Sequence, residues 1–257
     1  MKLEWYGFDF GETLMNPYTL HQSTLIRRIY AEIGRPNEAE ERVQKWYRLR
    51  NAAGSSTDRA ELRVRFLKQY ARDRIYSEVL GGDSQAIRLY EIGEAEGFTP
   101  AKGVEKALLG LRERGSVASI VSETSQQAAA LAIARFLHVH GLGGLINEII
   151  TPAGRFSVRG EMVGPEFVGK TKKDGTIFDE LKSYLNRLGV DAGKAAVVGD
   201  DPQLDIANAK KRGFVVVQYI GIVNRGASEA DYVIDDWAKL PAEPNIGPPP
   251  FSPEKVR

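Results

Sequence analysis

Three acidic or hydroxyl residues stand just past short apolar runs: Asp9 after WYGF, Ser122 after ASIV and Asp200 after AAVVG. Between the last two, GKTKKDGTIF places Lys170, Lys172 and Lys173 at the start of a helical pattern. Taken singly, each has an ordinary explanation. Asp and Ser after a strand often cap helices or form turns, and lysines are usually solvated. GDDPQLD is harder to dismiss. It puts Asp200, Asp201 and Asp205 within six positions beside an apolar run, and converging carboxylates repel unless a cation or protons compensate. Oxygen ligands of this kind suit Mg²⁺, which keeps several waters and takes one or two carboxylates plus substrate phosphate oxygens.

The elements that must position these residues follow from hydrophobic periodicity. LEWYGFDF reads as a short apolar strand. From residue 99 on, helices and strands alternate: helix GVEKALLGLRERG, strand VASIVS, helix SQQAAALAIARFL, strand LINEIIT, helix GTIFDELKSYLNRLG, strand AAVVGD, helix DIANAKKRG, strand VVVQYI and strand DYVID. Strands separated by helical patterns of this length predict an α/β fold, a doubly wound parallel sheet with helices on both faces. Such sheets bind ligands beyond the carboxyl ends of their strands, where Asp9, Ser122 and Asp200 fall. Residues 17–98 differ in character, with Leu25, Ile29, Ile33 and Leu62, Phe66, Tyr70 at helical spacing. The expected organisation is a core of residues 1–16 and 99–240, an inserted all-helical cap over 17–98, and a proline-rich tail over 241–257. TPAGRFSVRGEMVGPEFVGK (151–170) is expected to form a hairpin-like flap at the site entrance.

Composition narrows the function classes. Of 257 residues, 42% are hydrophobic and 27% charged, with a formal net charge of +1, which are ordinary globular values. The absence of cysteine excludes a disulfide framework and thiolate chemistry. Glu4 and Asp9 interrupt the opening segment, so no signal peptide is expected. Residues 128–150 are broken by Arg135, His138 and His140 and cannot span a bilayer. A soluble cytoplasmic protein without membrane partners is expected.

The ordered set DFGETL, SIVS, KKDGTIF and VVGDDPQLDIANAKKRGF resembles the four motifs of the haloacid dehalogenase (HAD) superfamily, whose first motif is usually Asp-x-Asp-Gly-Thr-Leu. The resemblance runs from residue 3 to about 240 and is weakest in the helical insert. It implies Asp9 as nucleophile, Ser122 as the phosphoryl-binding hydroxyl, Lys172 as the third-motif lysine with Lys170 and Lys173 as neighbours in contention, and Asp9, Gly11, Asp200, Asp201 and Asp205 as the metal-binding set. Thr13 and Glu123, beside these motifs, join as substrate-binding candidates. Position 11 departs from the pattern: glycine replaces the aspartate that serves as general acid and base. Gly11 still offers a backbone carbonyl to Mg²⁺ but no proton, and Glu12 is the candidate stand-in. The implied function is a Mg²⁺-dependent phosphatase that forms an aspartyl-phosphate on a small phosphorylated substrate, restricted to good leaving groups. Halide displacement, phosphonate cleavage with a cap lysine such as Lys45 or Lys68, and a non-catalytic phosphate- or partner-binding homologue are the alternatives.

Two further features bear on substrate choice. From Arg42 to Arg74 there are ten Arg or Lys against Asp58, Glu61 and Asp73. If this face meets the cleft, Arg48 and Arg50 would bind a second anionic group and Trp46 or Tyr47 would stack on a ring. Balanced overall charge and the lack of a nucleic-acid motif disfavour a nucleic-acid partner. HVH (138–140) has no third metal ligand and reads as the turn after a helix.

Overall fold

WYGF is apolar throughout because it becomes the central strand of a sheet covered on both faces. The computed structural model describes residues 2–52 and 72–242. Its main sheet has eight strands: β1 (Trp5–Phe8), β4 (Val117–Val121), β5 (Glu148–Thr151), β6 (Gly154–Ser157), β7 (Met162–Gly164), β8 (Ala195–Gly199), β9 (Val215–Tyr219) and β10 (Tyr232–Ile234). Their order is β10-β9-β8-β1-β4-β5-β6-β7. All pairs from β10 to β5 are parallel, as the continuous apolar runs predict for strands buried on both sides.

Alternation along each strand assigns the two faces. Tyr6, Phe8, Ala196, Val198 and Val217 join one core with Val104, Leu108 and Leu111 of the helix Val104–Glu113 and Ile133 and Phe136 of the helix Gln127–Val139. Trp5, Ala195, Val197 and Val216 join the other with Ile177, Phe178, Leu181 and Leu185 of the helix Thr176–Arg187. The predicted doubly wound sheet is borne out. β1 is its switch point: the chain leaves β1 for β4 on one side, while β8 and β9 fill the other, which opens a crevice at the strands' carboxyl ends.

Between the two-residue strands β2 (Met15–Asn16) and β3 (Thr99–Pro100), which pair antiparallel, every described element is helical. Helices Gln22–Glu32, Ala39–Ala52 and Ser84–Gly97 bury Leu25, Ile29, Val43, Trp46 and Tyr90. Leu25 and Ile29 thus take the inward positions their spacing predicts. Leu62, Phe66, Tyr70 and the acidic Asp58 and Glu61 lie outside the described residues, as does the tail from residue 243.

Two expectations differ from the structure. Residues 154–164 form the expected hairpin, β6 paired antiparallel with β7, but it extends the sheet beyond β5 and does not stand as a flap at the site; GRFS alternates buried and half-buried side chains, as an antiparallel strand with one face toward solvent does. The predicted helix DIANAKKRG is a wide helical turn over Pro202–Ala207 followed by the short helix Asn208–Lys210. The helix before HVH continues through Val139. His140 Nε2 there contacts Ala95 O and Phe98 O at 3.0 and 2.7 Å, so its imidazole ties the end of the helical segment to the core.

Candidate active site at the strand ends

Asp9 leaves β1 with its N–H still donating to Val198 O of β8 at 2.8 Å, so its carboxylate emerges at the switch point. Asp200 follows β8. Asp205 returns on the next turn and reaches the strand end because residue 199 has no side chain: a Cβ there would lie 2.3 Å from Asp205 Cγ. Carboxylate oxygens of Asp9, Asp200 and Asp205 lie within 4.8 Å of one another, and all three residues are buried. Lys172 Nζ donates to Asp9 Oδ1 and Asp205 Oδ1, each at 2.6 Å, from a side chain 1% exposed. Burial alone would push this ammonium toward neutrality, but Asp205 and Asp9 outweigh it and hold the pKa above its usual value.

The backbone of Lys172 is fixed at both ends of its peptide. Its N–H donates to Glu123 Oε2 at 2.5 Å, and its carbonyl accepts from Asn208 Nδ2 at 2.7 Å. Among the three lysines in contention, Lys172 alone reaches the aspartates; Lys173 is exposed and Lys170 half-buried. Asn208 was not singled out in the sequence, although its place in the motif after Asp205 is a signal that could have found it.

The remaining predicted residues divide by what their side chains touch. Ser122 and Glu123 line the same cavity as Asp9. Thr13 is fully buried and donates from Oγ1 to Asp200 Oδ1 at 3.3 Å; it is outside the lining. Asp201 is not brought into the cluster. Its Oδ1 accepts from the N–H groups of Gln203 and Leu204 at 2.9 Å each, which caps the turn that carries Asp205.

Glu12 is turned inward, 2% exposed, at φ 61°. This left-handed conformation costs a non-glycine residue about 1–2 kcal/mol, and it belongs to the position that is glycine in the resembled motif. The contacts made there offset the strain: one carboxylate oxygen accepts from Tyr18 Oη and the other from Arg225 Nη2. Arg225 Nε donates at 2.5 Å to Asp200 Oδ2, so one guanidinium bridges two buried carboxylates. Burial lowers the affinity of Arg225 for its proton, but Asp200 and Glu12 outweigh that and raise its pKa. Sequence reading missed Arg225, although GIVNRG also follows a strand and the strand-end rule applied to it equally.

A cavity of about 240 Å³ opens beside Asp9. Asp9, Glu12, Glu91, Glu94 and Ser122 to Gln126 are its polar or charged lining, and Phe10, Met15, Phe98, Ala132, Ile133 and Phe136 are among its apolar walls. Neither Arg48 nor Arg50 lines it. Arg48 borders a separate depression with Lys45, Leu49, Arg74 and Glu78. The Arg50 guanidinium lies over the rings of Trp46 and Tyr47 at 5.3 and 5.2 Å. The aromatics expected to stack on a substrate thus stack on an arginine of the same helix, since residues three and four apart share a helix face.

The donor set fits a divalent cation. Four carboxylates, Asp9, Glu12, Asp200 and Asp205, face two cations, Lys172 and Arg225, which leaves two negative charges. Asp9 Oδ2 is buried without a hydrogen-bond partner. Burial, then the charges of Asp9 and Asp205, push the Asp200 carboxyl up to about 7; burial also raises Asp205, because it and Asp9 outweigh the attraction of Lys172. A group of acids that retains protons near neutrality for lack of positive charge is one a small dication would stabilise.

Several solved structures share this fold. The magnesium-bound HAD hydrolase YfnB from Bacillus subtilis superposes with TM-score 0.57 at 15% identity over 93% of this chain and 97% of its own. A HAD phosphatase from Thermococcus onnurineus gives 0.53 at 20% identity over 95% and 100%, and a dehalogenase gives 0.52 at 16% over 93% and 95%. No protein-family model and no curated protein matches the sequence. Among the described residues, no helix is long and apolar enough to cross a membrane.

Proposed function

Starting from the fold of the HAD-superfamily hydrolases, we propose that this chain is a Mg²⁺-dependent phosphatase that acts through Asp9 on a small phosphorylated substrate with a good leaving group. The observation that carries the reading is the Lys172 ammonium held between Asp9 and Asp205 at 2.6 Å, with Asp9 among the lining of the adjacent cavity and its Oδ2 buried without a hydrogen-bond partner. Lys172 fixes the direction of the nucleophile. An oxygen of Asp9 attacks phosphorus in line, the bond to the leaving oxygen breaks with its electron pair, and an aspartyl-phosphate forms. Ser122, at the cavity floor, donates to a phosphoryl oxygen. Water then hydrolyses the aspartyl-phosphate and restores the carboxylate. Asp9 and Asp200 would hold Mg²⁺ together with the Gly11 carbonyl, and the ion would supply positive charge for the transferring oxygens. The inserted segment 17–98 acts as a cap over the cleft.

Gly11 governs which leaving groups depart. It carries no proton, and both oxygens of Glu12 already accept hydrogen bonds from Tyr18 and Arg225. Without a general acid, roughly 10²–10⁴ in rate is lost, about 3–5.5 kcal/mol of barrier, and alkyl esters suffer most. Acyl and aryl phosphates need little protonation, and the apolar walls suit an acyl or aryl group better than a polyhydroxylated one.

Hydrolysis of acetyl phosphate, p-nitrophenyl phosphate and a sugar phosphate, with and without Mg²⁺, tests this in wild type and Asp9→Asn. Expected is metal-dependent turnover of the first two, little of the third, and none in Asp9→Asn. Turnover that persists in Asp9→Asn, or silence on all three, overturns the reading. The same apolar cavity favours a second reading, hydrolytic halide displacement, because a halide departs without a proton. The acid cluster opposes it, since that reaction has no use for a cation, and chloride release from a short 2-chloro acid decides. Phosphonate cleavage would need a cap lysine at the cavity; Lys45 is paired with Glu41 at 2.7 Å and borders the separate depression, and Lys68 lies outside the described residues. A non-catalytic role in binding phosphate ligands or a protein partner would match silence in every assay.

A further inference from the structure

We propose that Arg225 is a tethered cation that competes with the divalent metal for Asp200, with Glu12 as the anion on which it is parked. This rests on the cluster being a metal site but not on the reaction performed there. The two arms of one guanidinium serve two carboxylates: Nε donates to Asp200 Oδ2 at 2.5 Å and Nη2 to Glu12. The other oxygen of Asp200 accepts from Thr13 at 3.3 Å. Both oxygens of this carboxylate therefore already accept a hydrogen bond, and a cation arriving at Oδ2 meets the guanidinium charge at close range.

The surroundings separate a fixed loop from a movable side chain. Gln218, 1% exposed at the end of β9, donates from Nε2 to Gly226 O at 2.9 Å and accepts from Ser228 Oγ at 2.7 Å. Asn224 Oδ1 accepts from the Gly226 N–H at 2.9 Å. The backbone just after Arg225 is thereby held at both its N–H and its carbonyl, whereas the Arg225 side chain is 28% exposed. Glu12, 2% exposed and fixed by Tyr18, keeps Nη2 while Nε moves. Like charges repel strongly at short range and low dielectric, so Arg225 and a dication cannot both sit on Asp200 without mutual cost. Arg225 is thus a positioning residue: it partly neutralises Asp200 when metal is absent and sets the affinity with which metal enters.

Mn²⁺ titration followed by electron paramagnetic resonance, without substrate, reads this directly in wild type, Arg225→Gln and Arg225→Lys, with near-UV circular dichroism as the check of folding. Arg225→Gln should bind Mn²⁺ with a dissociation constant roughly tenfold lower. Arg225→Lys, which keeps the charge but cannot span both carboxylates, should fall between it and wild type. In wild type, the ¹⁵Nε resonance of Arg225 should shift on saturation with Mg²⁺, a readout that needs no variant. Unchanged or weaker Mn²⁺ binding in folded Arg225→Gln, an Nε resonance indifferent to Mg²⁺, or no saturable binding in any of the three overturns the proposal. Because no turnover enters, an inactive enzyme with the expected metal affinities would sink the phosphatase reading alone.

Discussion

Two groups of cations in this chain differ in how the sequence displays them and in what the structure does with them. The stretch from Arg42 to Arg50 is dense in basic residues, yet its charges are spent locally. Arg42 pairs with Glu38 at 2.9 Å and Lys45 with Glu41 at 2.7 Å across one helical turn, and Arg50 covers two rings. Pairs of this kind contribute only a few tenths of a kcal/mol. Lys172, one of three lysines in GKTKKDG, and the lone Arg225 are less conspicuous, but each is delivered by its loop to a buried carboxylate cluster. Density of charge along the chain identified a helix face; position relative to strand ends identified the site.

The comparison can be broken by substitution, and the largest effect belongs to the buried group. Lys172→Met removes the cation that Asp9 and Asp205 share. Turnover should fall roughly 10³-fold or more, and urea unfolding above pH 7 should show a loss of about 3 kcal/mol. A variant within tenfold of wild type would show that the ammonium is only structural. The double change Gly11→Asp and Glu12→Gly restores the acid and the flexible glycine of the usual motif. Position 11 has open space for a side chain, with nothing within 4 Å of an added Cβ. Hydrolysis of an alkyl phosphate should rise about 10²-fold relative to acetyl phosphate. An unchanged ratio would mean that the leaving-group restriction does not originate at position 11.

A smaller effect is expected from pH. Asp200 and Asp205 hold protons more tightly in the folded chain than at the ordinary carboxylate value of about 4. Their contribution to the stability of metal-free protein is therefore full below about pH 4 and lost as pH rises toward about 7. Thermal unfolding in a chelator should show this decline between those limits, and excess Mg²⁺ should flatten it; a stability that rises across the same range contradicts the raised values. Smallest of all, Arg48→Ala and Arg50→Ala should leave kcat/KM within about twofold and stability within about 0.5 kcal/mol for Arg48. A tenfold rise in KM would return the basic face to the substrate.

The core was legible because a strand buried on both sides must be mostly apolar, as WYGF and AAVVG are and as VVVQY is apart from Gln218. Asp9 and Asp200 stood out because the fold rule names the ends of those strands, Asp205 because GDDPQLD crowds carboxylates, and Lys172 only through the resemblance to the third HAD motif. What sequence could not show was three-dimensional partnership. Asp201 looks like its neighbour Asp200 but spends an oxygen on a cap. Glu12 looks like a turn residue, yet its positive φ directs it inward to partners 6 and 213 positions away. The edge meander at 154–164 depends on pairing with β5, which local pattern does not encode.

The measurement that tests the central claim most directly is intact-protein mass after acid quench of a brief reaction with acetyl phosphate and Mg²⁺, with the modified peptide mapped. Asp9 as nucleophile predicts one phosphoryl adduct, located on Asp9 and absent in Asp9→Asn. Turnover without such an adduct, or an adduct on another residue, would contradict it.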